Sequence, residues 1–474
     1  MPNEPKILMV ASEATPFAKT GGLADVIGAL APTLHARGSQ VAVFIPRYRG
    51  IEIAGLPLVY QGLRIQLASG CYSLDVYRAE ERGVFYFLAD CPELYDREGL
   101  YGDAAGDYPD NDIRFAVFSR AALTLIRHVF RPDIVHCHDW QAALVPIYMR
   151  TVYASDPTYM GLPSVLTIHN LGYQGLFPPE SLARIGLDPA LFTPDSLEFF
   201  GKVNLLKGAI LMSDAVTTVS PTYAREIQSP ELGFGLDGVL RSRAGAVTGI
   251  LNGVDYTQWD PATDPHIAAP YSDSDLSGKR AAKAALLAEF GLAAAPDRPV
   301  IGMVSRLAGQ KGFHLIEQAA GELMAENLAL IVLGTGDPKY QQFLLDLQAA
   351  HPDKVGVRIA YDDALAHRIE AGADMFLMPS LYEPCGLNQI YSLRYGTVPI
   401  VRATGGLDDT IDDRTGFKFR DYTGQALMKA VRSALAAWRD RERWTAMMLA
   451  GMRKDYSWTA SASQYDELYR RLLG

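Results

Sequence analysis

The chain has 474 residues, of which 49% are hydrophobic and 21% are charged, and its formal net charge is −10. This length exceeds one ordinary core and favours two domains, and the composition is that of a soluble globular protein. The negative charge argues against nucleic-acid binding, because no basic stripe would gather phosphates. A polyanionic ligand would have to be held by a few well-placed cations.

The cysteines and the N-terminus indicate a cytoplasmic protein. Four cysteines show no metal-ligand spacing and are too few for a disulfide scaffold: Cys71, Cys91, Cys137 and Cys385. Residues 1–5 lack the basic start and apolar stretch of a signal peptide. No apolar run is long enough to span a bilayer, so no membrane segment is expected.

A glycine pair near the N-terminus has the setting of a ligand site. An apolar run at residues 7–11 predicts a buried parallel strand, and apolar residues at helical spacing follow Leu23. Between them, Lys19–Asp25 contains Thr-Gly-Gly at the start of the predicted helix. Free N–H groups and the helix dipole favour an anion there. The alternative is a tight turn with a solvated lysine. A near-copy at 403–408 suggests two similar halves that close on a ligand held between them.

The rest of the chain alternates short apolar runs with helical periods, which predicts doubly wound parallel sheets. Further strands are predicted at residues 41–46, 133–138, 165–169, 215–220, 300–305, 329–333, 357–360, 375–378 and 398–401. A less regular excursion follows the second strand. Asn252–Gly253 is a turn signal, after which the rhythm restarts. We predict domains at 1–245 and 246–456, and a terminal helix at 457–474 that crosses back to the first domain.

Polar side chains follow the predicted strands, where open α/β sheets bind ligands. In the first half these side chains lie in residues 136–140 and 167–171. The alternative interpretation is that the histidines of these two segments are buried for structural reasons and bind no ligand. In the second half, Arg306 follows a strand and Lys311 begins a helix, a suitable pair for a diphosphate. The turn at 334–338 is weak evidence for a nucleotide. Glu383 precedes a helix N-terminus, where its carboxylate could accept hydrogen bonds from a polyol. The alternative is an acidic residue in the first turn of a helix, which the helix dipole favours without any ligand.

These motifs together resemble the starch and glycogen synthase family that uses ADP-glucose. The resemblance runs through nearly the whole chain and rests on residues 19–23, 138–140, 169–171, 252–255, 305–307 with Lys311, and 383–387. It implies a retaining glucosyltransferase with two Rossmann-like domains facing a deep cleft, the GT-B architecture. The implied donor is ADP-glucose, and the implied acceptor is the non-reducing end of glycogen or a maltooligosaccharide. Neither a cofactor nor a metal is expected.

The resemblance also implies roles for individual residues. Arg306 and Lys311 would neutralise the departing ADP, and Glu383 would hold the glucosyl ring. The implied catalytic residues are Lys19, Asp139, His169, Arg306, Lys311 and Glu383. The implied substrate-binding residues are Lys19, Gly22, Asp25, Asn170, Asn252, Gly334, Tyr361, Cys385, Gly386, Leu387 and Thr404.

Other functions of similar architecture stay open at this point. A sugar-nucleotide epimerase would not consume glucan, and a catalytically inactive glucan-binding protein would not turn over the donor. A glucan phosphorylase would be much longer and would need a lysine for its pyridoxal cofactor. A dinucleotide-dependent oxidoreductase is disfavoured by the spacing of Gly21 and Gly22.

Overall fold

The computed structural model describes residues 4–103, 105–243, 245, 247–293 and 298–474. Of the predicted domain limits, residues 1 and 246 lie outside this set. The described residues form two compact units. One unit holds the residues up to Val219, Ala224–Gly253 and Trp458–Gly474, and the other holds Ser220–Tyr223 and Val254–Ser457. Each unit is built on a largely parallel sheet with helices packed against it, which confirms the predicted α/β class with two doubly wound sheets.

The main sheet of the first unit has the order β14-β13-β9-β8-β1-β2-β5-β4-β3. Its pairs are parallel except for β4, which pairs antiparallel with both β3 and β5. The strands before Val254, small antiparallel ladders included, are β1 (Lys6–Val10), β2 (Gln40–Pro46), β3 (Leu58–Leu67), β4 (Gly70–Glu81), β5 (Val84–Asp90), β6 (Gly102–Asp103), β7 (Gly106–Asp107), β8 (Ile134–His138), β9 (Ser164–Ile168), β10 (Leu176–Phe177), β11 (Glu198–Phe199), β12 (Lys202–Asn204), β13 (Ala215–Thr218) and β14 (Val247–Gly249).

The order in which the chain adds strands to this sheet reverses at β1. From β1 the chain moves outward through β2 to β5, and it then returns to place β8, β9 and β13 on the other side of β1. Ligands of open α/β sheets bind beyond the carboxyl ends of the strands at such a switch point. The loops that follow β1 and β8 therefore occupy the position where this unit is expected to bind a ligand.

Helices before Val254 are α1 (Gly22–Ala36), α2 (Pro92–Tyr95), α3 (Asn111–His128), α4 (Leu144–Arg150), α5 (Ser181–Arg184), α6 (Leu205–Met212), α7 (Pro221–Glu226) and α8 (Asp237–Ser242). The terminal helix, Trp458–Leu473, belongs to the same unit as α1 and packs against it. An ion pair between Arg37 and Asp466 at 2.7 Å joins the two helices.

The second unit repeats the reversal with a parallel sheet in the order β17-β16-β15-β18-β19-β20. Its switch point lies between β15 and β18. The strands are β15 (Val300–Val304), β16 (Ala329–Gly334), β17 (Val355–Ile359), β18 (Met375–Met378), β19 (Val398–Arg402) and β20 (Phe417–Phe419). The helices are α9 (Ser277–Glu289), α10 (Phe313–Ala325), α11 (Pro338–Ala350), α12 (Asp363–Gly372), α13 (Asn388–Arg394), α14 (Gly405–Thr410), α15 (Gly424–Arg439) and α16 (Arg441–Met452), and the terminal helix is α17.

Both faces of this second sheet are buried, as near-continuous apolar strands predict. Along β15, Ile301 and Met303 pack into the core that includes α10 and α15, whereas Val300 packs into the core that includes α9 and α12. This alternation follows from the two-residue period of a strand. None of the helices within the described residues combines the length and apolar character needed to cross a bilayer.

Candidate active site

A buried glutamate anchors the loop that follows β1. Glu13 accepts hydrogen bonds from the backbone N–H groups of Thr20 and Gly21 and from the Thr20 hydroxyl, at 2.5, 3.2 and 2.7 Å. The Tyr101 hydroxyl also donates to Glu13, at 2.5 Å. An internal carboxylate therefore already uses the N–H groups of Thr20 and Gly21, so these two are not among the free N–H groups predicted where the helix begins. Any anion at this loop would have to meet the first turn of α1 or Lys19.

Lys19 and the glycine pair face open space. The Lys19 ammonium lies 2.8 Å from the Asp25 carboxylate, with side-chain exposures of 40% and 35%. Exposed pairs of this kind contribute little stability, so Lys19 can change partner at low cost. A Cβ atom added at Gly21 or Gly22 would meet nothing within 4 Å. The three predicted residues of this loop, Lys19, Gly22 and Asp25, are thus accessible to a ligand.

Asp139 joins the ends of β8 and β9. It adopts a φ of 55°, which is unusual for a residue other than glycine, and its carboxylate accepts the backbone N–H of His169 at 2.7 Å. Burial raises the pKa of Asp139 to about 7, although the N–H groups of His169 and Asn170 oppose the shift. A carboxyl group that titrates near neutrality is typical of functional sites.

Three imidazoles lie in a row behind this junction. His138 Nδ1 and His169 Nε2 are 3.0 Å apart, and the rings of His136 and His138 are tilted by 33° with centroids 4.1 Å apart. His136 is bonded through both nitrogens, to the hydroxyls of Thr167 at 2.6 Å and Tyr469 at 2.8 Å. Burial lowers the pKa of His136 and His169 to about 3 and that of His138 well below its ordinary value. All three rings are therefore neutral near pH 7.

The two predicted asparagines differ in their surroundings. The Asn170 side chain accepts the backbone N–H of Gly172 at 3.0 Å and is half-buried beside His169. Asn252 follows β14 and is 6% exposed, and no described residue bonds to its buried Oδ1 atom. An unpaired buried carbonyl oxygen is an acceptor available to a ligand hydroxyl.

In the second unit, an ion pair forms at the switch point between β15 and β18. Lys311 Nζ lies 2.6 Å from Glu383 Oε2, with side-chain exposures of 19% and 7%, and the Ser380 hydroxyl donates to the same oxygen at 3.0 Å. Arg306, two residues after the end of β15, is exposed, and no described residue forms a hydrogen bond or ion pair with its guanidinium. The structure thus couples Lys311 to Glu383, two residues whose implied roles were separate.

The loop after Glu383 depends on close backbone packing. A Cβ at Gly405 would lie 1.9 Å from the Glu383 carbonyl oxygen, and one at Gly406 would lie 2.1 Å from that of Cys385. Gly386 has a φ of 69°, and the Gln389 amide donates to the carbonyls of Cys385 and Gly386 at 3.1 and 2.9 Å. These contacts hold the segment 383–387 ahead of α13.

The remaining predicted residues of this unit lie at or just after the carboxyl ends of other strands of the sheet. Thr404 precedes α14 and is 1% exposed. Gly334 ends β16, and a Cβ there would lie 2.0 Å from the Ser305 carbonyl oxygen, so this glycine is required by packing. Tyr361 follows β17, two strands from β15, and is 78% exposed.

The structure therefore groups the predicted residues into two sets, one beyond the strands of each unit. Sequence reasoning missed three supporting residues: Glu13, Ser380 and Gln389. It named His138 within the polar run 136–140 but gave it no role of its own. Glu13 stands three positions after a buried strand, which is the only local signal for it. Among the described residues, no three His, Cys, Asp or Glu side chains cluster in a way that could hold a metal ion.

Comparisons with known proteins identify the family. Residues 6–242 match the model of the starch synthase catalytic domain, and residues 288–447 match glycosyl transferases group 1. A glycogen synthase from Koribacter versatilis (strain Ellin345) is 50% identical, with 98% of each chain covered. This chain belongs to the starch and glycogen synthase family. A glycogen synthase from Geotalea daltonii is 47% identical over 99% of each chain.

Solved structures agree with this assignment. The catalytic domain of starch synthase IV from Arabidopsis thaliana, solved with ADP and acarbose, matches with a TM-score of 0.90, 35% identity and 99% coverage of both chains. The predicted family, GT-B fold class and glycosyltransferase activity are confirmed. The relatives support glycogen synthesis and do not support the epimerase or the inactive binding protein. The roles of individual residues stay predictions.

Proposed function

We propose that this protein transfers glucose from ADP-glucose to the non-reducing end of an α-1,4-glucan, with retention of the anomeric configuration. The observation that carries the proposal lies at the switch point of the second unit, where Lys311 pairs with the buried carboxylate of Glu383 and the exposed Arg306 follows the same strand, β15, as Lys311. The relative solved with ADP and acarbose supports a nucleotide donor and a glucan-like acceptor.

The chemistry of the donor explains the need for cations. In the transfer, the bond between glucosyl C1 and the phosphate oxygen breaks, and a bond from C1 to the acceptor 4-oxygen forms. Negative charge grows on the departing diphosphate, so fixed positive charge nearby stabilises the transition state more than the ground state. Arg306 and Lys311 supply that charge. The acceptor proton passes to the departing phosphate on the same face of the sugar, which accounts for retention without a paired nucleophile.

The carboxylate of Glu383 orients the glucosyl ring. It accepts hydrogen bonds from sugar hydroxyls, while Ser380 and Lys311 hold its position. Residues of the first unit, Lys19, Asp139 and His169, contact the donor sugar and the acceptor in the same reaction. The unpaired Oδ1 atom of Asn252 accepts a hydrogen bond from a sugar hydroxyl.

A transfer assay tests the proposal. Labelled ADP-glucose and UDP-glucose are incubated separately with glycogen, and label in the polymer and released nucleotide are both measured. We expect faster incorporation from ADP-glucose, new α-1,4 linkages by proton NMR, and equal amounts of ADP and incorporated glucose. Binding of glycogen without ADP release, or β linkages in the product, would contradict the proposal.

A further inference from the structure

His138 and His169 form a direct imidazole–imidazole hydrogen bond, and such a bond has only two arrangements. Each ring is neutral, because burial holds both pKa values far below neutrality. Across the 3.0 Å between His138 Nδ1 and His169 Nε2, one nitrogen must carry the proton and the other must accept it. The identity of the donor decides which nitrogen of each ring carries a proton.

The surroundings of His138 decide between the two arrangements. Its ring is fully buried, and no described residue bonds to its second nitrogen, Nε2. The adjacent ring of His136 cannot provide a partner, since both of its nitrogens are already bonded to hydroxyls. A buried N–H group without a partner costs more than a buried acceptor without one. The proton of His138 therefore resides on Nδ1, and Nε2 is left as the unpaired acceptor.

The state of His169 follows from that of His138. If His138 Nδ1–H donates, His169 Nε2 accepts, and the proton of the neutral His169 ring must be on Nδ1. His169 is half-buried, so part of its side chain is open to solvent. We infer that His138 is a positioning residue that holds His169 as the Nδ1–H tautomer, so that His169 acts only as a hydrogen-bond donor toward a sugar hydroxyl.

This inference rests on the proposed function for the identity of the ligand, but the tautomer itself does not. A hydroxyl that receives a hydrogen bond from His169 keeps its own proton, which it can give to another acceptor. Without His138, the His169 ring can exchange to the Nε2–H tautomer, and the sugar would face an acceptor at Nδ1. The expected consequence is loss of catalytic efficiency without loss of the fold.

Nitrogen-15 NMR of the full-length protein labelled at histidine tests the tautomers directly. Signals of the two rings are assigned by their loss in His138→Leu and His169→Gln. We expect a protonated Nδ1 and an unprotonated Nε2 in both rings of the wild-type protein at pH 7.5. A protonated Nε2 in either ring, or a doubly protonated ring, would overturn the inference. This result is independent of glucosyl transfer, so an inactive protein would refute the proposed function alone.

Three variants test the positioning role. His138→Leu removes the donor, and we expect kcat/KM to fall about tenfold, the scale of one hydrogen bond, with His169 shifting toward the Nε2–H tautomer. His138→Asn keeps an amide N–H near Nδ1 and should restore most of the activity. Tyr469→Phe, the matched control, removes a hydrogen bond of His136 in the same row of rings. It should leave the tautomer of His169 unchanged and keep the activity within about twofold. Equal activity of wild type and a folded His138→Leu protein would overturn the role.

Discussion

Replacing Asp139 by Asn should stabilise the protein increasingly as the pH rises. The pKa of Asp139 is raised by burial from 3.8 to about 7 in the folded chain. Because the folded-state pKa is the higher one, the stability linked to this group is fully present below about pH 4 and is lost as pH rises through about 7. Three pKa units correspond to about 4 kcal/mol at alkaline pH, of which about 2–3 kcal/mol develops between pH 5 and 8. Asn carries no charge and avoids this loss, while its Oδ1 atom can still accept the His169 N–H.

Urea unfolding followed by tryptophan fluorescence at pH 5, 6, 7 and 8 measures the effect, since Trp140 lies in the same unit as Asp139. We expect the stability difference between Asp139→Asn and wild type to grow by about 2–3 kcal/mol over this range. Asp413→Asn is the control, because it replaces a carboxylate by an amide at an exposed position. The Asp139→Asn variant should also lose activity, because Asp139 is proposed to contact the donor sugar and the acceptor. A stability difference that stays constant from pH 5 to 8 would refute the reasoning.

Three further predictions concern the proposed site. Arg306→Ala and Lys311→Ala should each lower kcat by about 10²–10³, the scale of one lost transition-state donor. Turnover by the wild-type protein should survive exhaustive dialysis against a chelator. Activity that is lost on dialysis and returns only with Mg²⁺ or Mn²⁺ would contradict the two-cation model. Gly405→Ala should lower the free energy of unfolding in urea by about 2 kcal/mol or more, because Gly405 has a φ of 45° and its added Cβ would lie 1.9 Å from a carbonyl oxygen. Gly21→Ala, the control, should change that free energy by no more than about 0.5 kcal/mol. Equal losses in the two variants would contradict this reasoning. Lys19→Gln should raise the donor KM or lower kcat with little change in Tm, since its ion pair is exposed, and unchanged kinetics would remove Lys19 from the site.

The sheet was predictable from sequence where strands are buried on both faces. Near-continuous apolar runs mark β1, β8 and β16, and the structure places strands there. The hairpin of β3 and β4 escaped prediction because only alternate residues are buried, as at Leu63, Ile65 and Leu67. Half-exposed strands carry a weaker signal than buried ones, since polar residues interrupt every apolar one.

Candidate site residues were predictable from sequence where they come shortly after the carboxyl end of a predicted strand. Lys311 and Glu383 were each expected from their own local setting, but their ion pair joins residues 72 positions apart. Glu13 bonds to Tyr101 across 88 positions, and His136 bonds to Tyr469 across 333. Spacing along the chain holds no information about such partners. They depend on the crossovers that bring β1 beside β8 and the terminal helix onto the first unit.

The repeated Thr-Gly-Gly-Leu sequence shows how the same residues acquire different roles. In the first copy, the helix begins at Gly22 and a Cβ at either glycine would meet only open space. In the second copy, the helix begins at Gly405, and both glycines lie against the carbonyl oxygens of the segment that carries Glu383. Glycine in the first copy therefore leaves room for a ligand, whereas glycine in the second leaves room for the protein's own backbone. The second copy contributes to the site by holding Glu383 in place, a role that requires no ligand contact.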